Sequence, residues 1–515
     1  MLAKLTSAAV HGVDAIEVAI EVHSTLGIKK TVIVGLPDAA VKEAGERVQA
    51  ALRNSGFRYP EGHSTVNLAP ADLRKEGPSF DLPIALGMIA CTEESGQSWS
   101  LADTIVVGEL ALEGTVRPVK GVLAIAIEAA KNGCGRIVVP EENAAEAGLV
   151  GGIEVIPVAT LRDAWQIVTG GLRRQPYKLD RRQHFAAHAH YTIDFTDVKG
   201  QASVKRALEV AASGNHNVLL IGPPGTGKSM LASRLPTIMP GLTEDEAIEV
   251  TKIHSIAGLL DTRQGFLATR PFRSPHHTIS EAGLLGGSTN PRPGEVSLAH
   301  FGVLFLDELP EFKRGTLEVL RQPLEDGVVT ISRAAGSLTF PSRFMLVAAM
   351  NPCPCGYHGD PKRECRCSPR LVETYRQRIS GPLLDRIDIH IEVPQVEFRD
   401  LKSGATGESS EIIRARVETA RKIQQTRFAG FKGKVTSKTN SALPPKLFHQ
   451  HCAIDREGSS MLEMAMNEMH LSARAHDRIL KVARTIADLA GAEAIQANHV
   501  MEAIQFRSLD RRLRW

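Results

Sequence analysis

The sequence predicts an α/β protein with a helical C-terminal part, and three observations carry that prediction. An apolar run, Val218-Leu219-Leu220-Ile221, leads directly into Gly222-Pro223-Pro224-Gly225-Thr226-Gly227-Lys228-Ser229. A second apolar run, Val303–Leu306, ends in Asp307-Glu308. Ile16, Val18, Ile20 and Val22 alternate with Glu17, Ala19 and Glu21, whereas Ile479, Val482, Ala483, Ile486 and Leu489 recur at helical spacing. Alternation marks a half-buried strand, and a 3.6-residue recurrence marks a helix with one buried face.

Residues 1–170 read as one α/β domain. After the alternating strand comes a helix over Ala39–Asn54, with Val41, Ala44, Val48 and Leu52 on one face. Short strands are predicted at Thr65–Leu68, Ile105–Val107, Arg136–Val139 and Glu154–Pro157, with a helix over Val122–Lys131 among them. Residues 171–193 carry Arg173, Arg174, Lys178, Arg181, Arg182, His184, His188 and His190 and read as a basic linker, a solvated connector with a binding arm as the alternative. Residues 194–394 form the nucleotide-binding domain. Residues 395–515 are helical, with Ile413, Val417, Ala420 and Ile423 on one stripe and Ser472 as the N-cap of another helix.

The chain has 515 residues, 43% hydrophobic and 23% charged, as ordinary soluble proteins are. A net charge of +3 permits a nucleic-acid partner only through a local basic patch. No apolar run approaches the roughly 18 residues of a membrane span, and the first residues do not read as a signal peptide. A cytoplasmic protein with no membrane partner is expected.

The glycine-rich run is a P-loop. Its backbone N–H groups face one point at a helix start, where the helix dipole also favours an anion. Lys228 is then expected at the β- and γ-phosphates of ATP, and the Ser229 hydroxyl on Mg²⁺. Asp307 is expected to hold Mg²⁺ through water, and Glu308 to orient the attacking water as general base. Asn351 ends the apolar run Phe344–Met350 and can position that water. Arg386, in Gly381-Pro-Leu-Leu-Asp-Arg386-Ile-Asp388, suits either a neighbour's γ-phosphate or a salt bridge to Asp385 or Asp388. His276 and His277 read as loop structure. Four of the seven cysteines crowd into two pairs, Cys353-Pro-Cys355 and Cys365-Arg-Cys367. Four thiolates across a short loop suit tetrahedral Zn²⁺, with loop cysteines or a reducible disulfide as alternatives.

The stretch from Asp197-Val-Lys-Gly-Gln201 to Arg386 resembles an AAA+ ATPase of the magnesium-chelatase-like branch. The resemblance rests on Arg270-Pro-Phe-Arg-Ser-Pro-His-His-Thr278 and on Pro293-Gly-Glu-Val-Ser-Leu-Ala-His300 before the second apolar strand. With its N-terminal domain, the whole chain resembles the YifB/ComM family, whose competence-associated member is a hexameric DNA helicase of branch-migration type. The resemblance implies that Gln201 lines the adenine site, Asn351 is sensor 1, Arg386 is an arginine finger, and Arg474 is sensor 2 on a helical lid. Arg478, one turn on, is the alternative to Arg474. A finger acting in trans implies a ring, usually a hexamer, with single-stranded or branched DNA as partner. The family places pore-facing insertions at Gly283–Gly287 and in a hairpin, here Val329–Arg333 and Ser337–Phe340. Arg333 near its tip is either a phosphate contact or an ordinary surface arginine. The tail arginines Arg507, Arg511, Arg512 and Arg514 suit phosphate contacts or a solvated helix end.

Glu76-Gly-Pro-Ser79-Phe-Asp-Leu-Pro-Ile resembles the catalytic-serine segment of the Lon protease domain, and Val116–Leu123 its lysine segment. In that alignment Leu123 stands where the lysine belongs, and Lys120 lies three residues earlier. A Lon-protease-like (S5-like) domain without peptidase activity is therefore expected. The rival readings are a protein-remodelling or protease-associated motor and a metal-chelatase-type motor subunit.

Overall fold

The structure is a computed structural model that describes residues 1–28, 30–93, 99–261, 265–287, 292–333, 336–396, 407–433 and 435–507. The chain forms two compact units. One comprises Met1–Ala189 with Thr243–Ala268, the other His190–Leu242 with Thr269–Trp515. No helix among the described residues is long and apolar enough to cross a membrane.

The first unit is built on a seven-stranded mixed sheet. Its strands are β1 (Leu2–His11), β2 (Asp14–Leu26), β3 (Lys30–Val34), β4 (Gly62–Ala69), β5 (Trp99–Val106), β6 (Arg136–Pro140) and β7 (Glu154–Val158), in the order β3-β4-β2-β1-β5-β6-β7. The alternation read from the sequence is realised in β2, where Val18, Ile20 and Val22 are fully buried. The helix Ala39–Asn54 starts where predicted, and the Asp38 side chain caps it by accepting the Val41 N–H at 2.8 Å. A two-turn helix, Arg181–His188, lies within the stretch read as linker.

The helix Glu244–Ala257 belongs to this unit, although in the chain it follows the P-loop helix. Its Ile256 packs on the cluster of Ala8, Val122, Ile125 and Val139. The Ser255 hydroxyl hydrogen-bonds the Glu146 carboxylate and accepts the Gly121 N–H at 2.9 Å. Glu146 is buried and also accepts the Leu123 N–H at 2.8 Å. A buried carboxylate needs such donors, and the inserted helix supplies one of them.

The second unit contains a five-stranded parallel sheet in the order β9-β10-β13-β8-β14, made of β8 (Val218–Ile221), β9 (Phe272–Arg273), β10 (Val303–Leu306), β13 (Met345–Met350) and β14 (Ile389–Glu392). Between β10 and β13 the chain makes an antiparallel hairpin, β11 (Val328–Arg333) and β12 (Gly336–Pro341). Strand β13 lies between β8 and β10, with Ile221 paired to Met350 and Leu306 to Ala348. Parallel pairing therefore brings the residues after each strand, Gly222, Asp307 and Asn351, to one edge of the sheet. Ligands of open parallel sheets bind at such carboxyl ends.

The C-terminal helices share the core of this sheet. Ile413 and Val417 of helix Ser410–Arg427, and Ile479, Val482 and Ile486 of helix Ala473–Leu489, join one cluster with Leu208, Val218 and Leu231. Ser472 caps the latter helix by accepting the Ala475 N–H at 3.3 Å. Arg507 is buried and donates to the Ile387 carbonyl at 2.6 Å, so it is a core residue, neither a phosphate contact nor a solvated end. Arg511, Arg512 and Arg514 lie outside the described residues.

Candidate functional site

The P-loop runs from the end of β8 into the helix Lys228–Ile238. Gly227, the N-cap, has φ 85°, a left-handed conformation that a side chain disfavours and glycine adopts freely. Lys228 is buried and folded back over its own loop. Its ammonium donates to the Gly222 and Pro223 carbonyls at 2.7 and 2.9 Å and to Asn351 Oδ1 at 3.2 Å. Burial lowers its pKa below the ordinary lysine value, and the Asp307 charge opposes that shift. A buried ammonium that donates to neutral carbonyl and amide oxygens is a ready partner for phosphate anions.

Ser229 Oγ donates to Asp307 Oδ2 at 2.7 Å. This pairs the two oxygens expected on Mg²⁺, and their hard-oxygen chemistry suits that ion. When bound, Mg²⁺ neutralises charge on the β- and γ-phosphates. Asp307 Oδ1 also accepts the Glu308 N–H at 2.9 Å. Glu308 itself sits in the left-handed region, φ 53° and ψ 46°. A non-glycine residue there costs about 1–2 kcal/mol, and such strain clusters at functional sites.

Glu308 has a partner the sequence did not reveal. His277 Nδ1 lies 3.4 Å from its Oε2. His277 stacks on His276, whose Nδ1 hydrogen-bonds the Thr278 hydroxyl at 2.9 Å. The histidine pair is loop structure, as read, and it also reaches the carboxylate expected to act as base. The only available signal was its place in the Arg270–Thr278 run. In the same region Arg273 makes a two-point bond to Glu295 at 2.6 and 2.8 Å.

Gln201 lies beside the loop. Its Nε2 donates to the Thr226 and Pro394 carbonyls, both at 2.9 Å, while its Oε1 is buried without a partner. An orphan buried acceptor costs about 1–3 kcal/mol, and an adenine amino group is a donor of the kind that satisfies it. These residues fit ATP.

Arg386 and Arg474 lie elsewhere. With Arg478, Lys481, Glu325 and Asp388 they line a pocket of about 220 Å³ that includes none of residues 222–229. Arg386 is buried, donates to the Pro382 carbonyl at 2.7 Å, and pairs with Glu325, a carboxylate distant in sequence. Arg478 pairs with Asp388, which His216 also contacts at 3.1 Å. Burial alone would raise the Asp388 carboxyl, but Arg478 and His216 hold it well below the usual carboxylate range.

Cys353, Cys355, Cys365 and Cys367 converge, with all four sulfurs within 4.8 Å of one another. The backbone N–H groups of Tyr357 and Arg366 face Cys355 and lower its thiol pKa to about 6. The hairpin β11–β12 forms where expected. Thr330 faces Thr339 at 3.1 Å and Ser332 faces Ser337 at 3.2 Å on its exposed side. In the first unit, Leu123 is buried with its N–H on Glu146, and the Lys120 side chain lies against Gly258.

Residues 194–401 match the family described as magnesium chelatase, subunit ChlI; residues 20–143 match subunit ChlI of Mg-chelatase; and residues 407–507 match the ChlI C-terminal family. Competence protein ComM of Haemophilus influenzae is 45% identical over 517 residues, covering 99% of this chain and 98% of that protein. The chain belongs to the YifB/ComM family. YifB of Salmonella typhimurium is 43% identical over 516 residues, covering 99% of this chain and 98% of that protein. YifB of Escherichia coli is 43% identical over 506 residues, covering 98% and 96%. As a YifB/ComM protein, the chain carries a magnesium-chelatase-like AAA+ domain, the class that uses ATP with Mg²⁺.

Proposed function

We propose that this chain is an ATP-driven ring motor that translocates on DNA and remodels branched or partly single-stranded intermediates, as in recombination during natural transformation. Lys228, Ser229, Asp307, Glu308, Asn351 and Gln201 form the half-site of one subunit, with ATP and Mg²⁺ as fuel. Arg386 and Arg474 serve the half-site of the next subunit in a homo-oligomer, in the family usually a hexamer. The four cysteines hold a structural zinc. The Lon-like domain, residues 1–170, is a non-proteolytic platform, the basic stretch 171–193 a connector, and the helices after 394 a lid.

The observation that carries this reading is the separation of the two sets of residues. The groups expected on phosphate gather at the strand ends, while Arg386, Arg474 and Arg478 share a pocket that no P-loop residue lines. Such an arrangement makes sense when a neighbour completes each site. The DNA assignment rests on the near full-length similarity to a competence protein and on the hydroxyl-lined hairpin β11–β12, whose sequence Val328–Pro341 has no acidic residue. The Leu123 position supports the absence of peptidase chemistry, because Ser79 then lacks an amine to take its proton.

The chelatase family matches favour a second reading, a metal-chelatase-type motor subunit. ATP hydrolysis measured with and without single-stranded and four-way-junction DNA, at two salt concentrations, separates the two. Stimulation that weakens steeply with salt supports the DNA motor. No binding or stimulation by any DNA overturns it in favour of the chelatase-type reading.

A further inference from the structure

The cysteine loop touches the nucleotide site. Within residues 353–367 only Cys353 and Gly356 are buried, and the segment contains no helix or strand. It has no apolar core to hold its shape, and segments of that kind need a covalent or metal staple. The sulfurs of Cys353, Cys355 and Cys365 lie 3.3, 3.6 and 3.7 Å apart. Thiolates about 2.3 Å from a tetrahedral zinc stand roughly 3.8 Å from one another, so a small adjustment seats the ion.

Gly356 closes the first cysteine turn, its N–H donating to the Cys353 carbonyl at 3.0 Å. It has φ 86°, and a Cβ added there would meet Pro224 Cδ at 2.6 Å. The turn therefore lies directly against the P-loop. Next to it, the Pro352 carbonyl accepts Arg376 Nε and Nη2, both at 3.3 Å, and Asn351 follows β13. At its far side Asp360 accepts Gln395 Nε2 at 3.1 Å, one residue beyond the Pro394 carbonyl that Gln201 holds. The loop thus meets the nucleotide residues at Pro224, Asn351 and Pro394–Gln395.

We propose that the four cysteines bind one soft divalent ion of the zinc class, and that the loaded loop braces the P-loop through Gly356 and Pro224, so that metal occupancy sets nucleotide affinity. This rests on the nucleotide-binding reading above. Zinc supplies the staple, the Gly356 turn keeps its shape, and Pro224 keeps the loop carbonyls and N–H groups in register for phosphate. By linkage, nucleotide must also tighten the metal by the same factor.

The test uses the full chain. Metal analysis of the purified protein is expected to find about one zinc per chain, and less than ~0.2 overturns the site. Affinity for a fluorescent ADP is then measured before chelation, after chelation and after zinc is restored, with circular dichroism confirming that the chain stays folded. Metal removal is expected to weaken binding by roughly 5–150-fold, reversibly. Unchanged affinity in a folded, metal-free chain overturns the coupling, whereas a zinc-loaded chain that binds no ADP overturns the nucleotide reading instead. Should chelation unfold the chain, zinc release to a chromogenic chelator carries the test. Saturating ADP is expected to slow release from the native chain but not from Lys228→Ala, and equal rates in both overturn the proposal. Pro224→Ala is expected to keep its zinc while losing the effect of ADP on release. An effect of undiminished size in that variant contradicts the contact assigned to Pro224.

Discussion

His277 Nδ1 stands 3.4 Å from Glu308 Oε2, so the carboxylate expected to activate water is engaged by an imidazole in the resting chain. Among the described residues, Glu308 is otherwise held at its backbone, by the Asp307 carboxylate, the Glu311 N–H and its left-handed turn. The histidine therefore sets where the carboxylate points. A contact of this type is worth about 0.5–1.5 kcal/mol, so His277→Ala is expected to raise basal ATP turnover roughly two- to tenfold. The KM for ATP is expected to stay unchanged, because no nucleotide contact is lost. Steady-state kinetics check this, and an unchanged turnover would mean the pair is idle.

Asp388 is a buried carboxylate shared by His216 and Arg478, with Lys481 also close enough to feel its charge. Its folded pKa is depressed, so its contribution is fully present above the unfolded value of about 3.9 and is lost as pH falls below it. Removing one partner of a buried ion pair costs about 3 kcal/mol, and Asp388→Asn is expected to cost about that much near pH 7. Denaturant melts at pH 7, 5 and 3.5 should show the gap from the native chain narrowing only at the lowest pH. A constant gap contradicts the assignment.

The hairpin β11–β12 presents Thr330, Thr339, Ser332 and Ser337 on its exposed side, and Arg333 ends β11. If Arg333 contacts a phosphate, Arg333→Ala weakens binding to all DNA sequences alike. It also lowers the slope of log affinity against log salt by about one. Fluorescence anisotropy over a salt series measures both. A sequence-dependent loss with an unchanged slope would place the contact elsewhere.

Much of the site was legible because its parts are local. An apolar run bounded by Gly222, by Asp307 or by Asn351 states both a strand and what stands at its end, and Ser472 states where a helix begins. Contacts between distant segments were not legible. The apolar face of helix Glu244–Ala257 says that it is buried, but not that Ser255 meets Glu146 in the first unit. Nothing near Arg386 in sequence indicates Glu325, and nothing in the arginine-rich tail singles out Arg507 as buried. The histidine pair had a legible loop role and an illegible one, because Glu308 reaches it only after β9 and β10 pair. The cysteine spacing pointed to a metal, but its contact with Pro224 required the fold.

The central claim is that Lys228 of one copy and Arg386 of another serve the same ATP. Lys228→Ala and Arg386→Ala proteins, each made separately, should be nearly inactive as ATPases, since an arginine finger is worth roughly 10³–10⁵ in rate. Mixed one to one under conditions where subunits exchange, they should recover about a quarter of the native rate, because about a quarter of the interfaces then join two intact halves. A mixture as inactive as its components, with exchange verified, would contradict the shared site, as would an Arg386→Ala protein that hydrolyses ATP at the native rate.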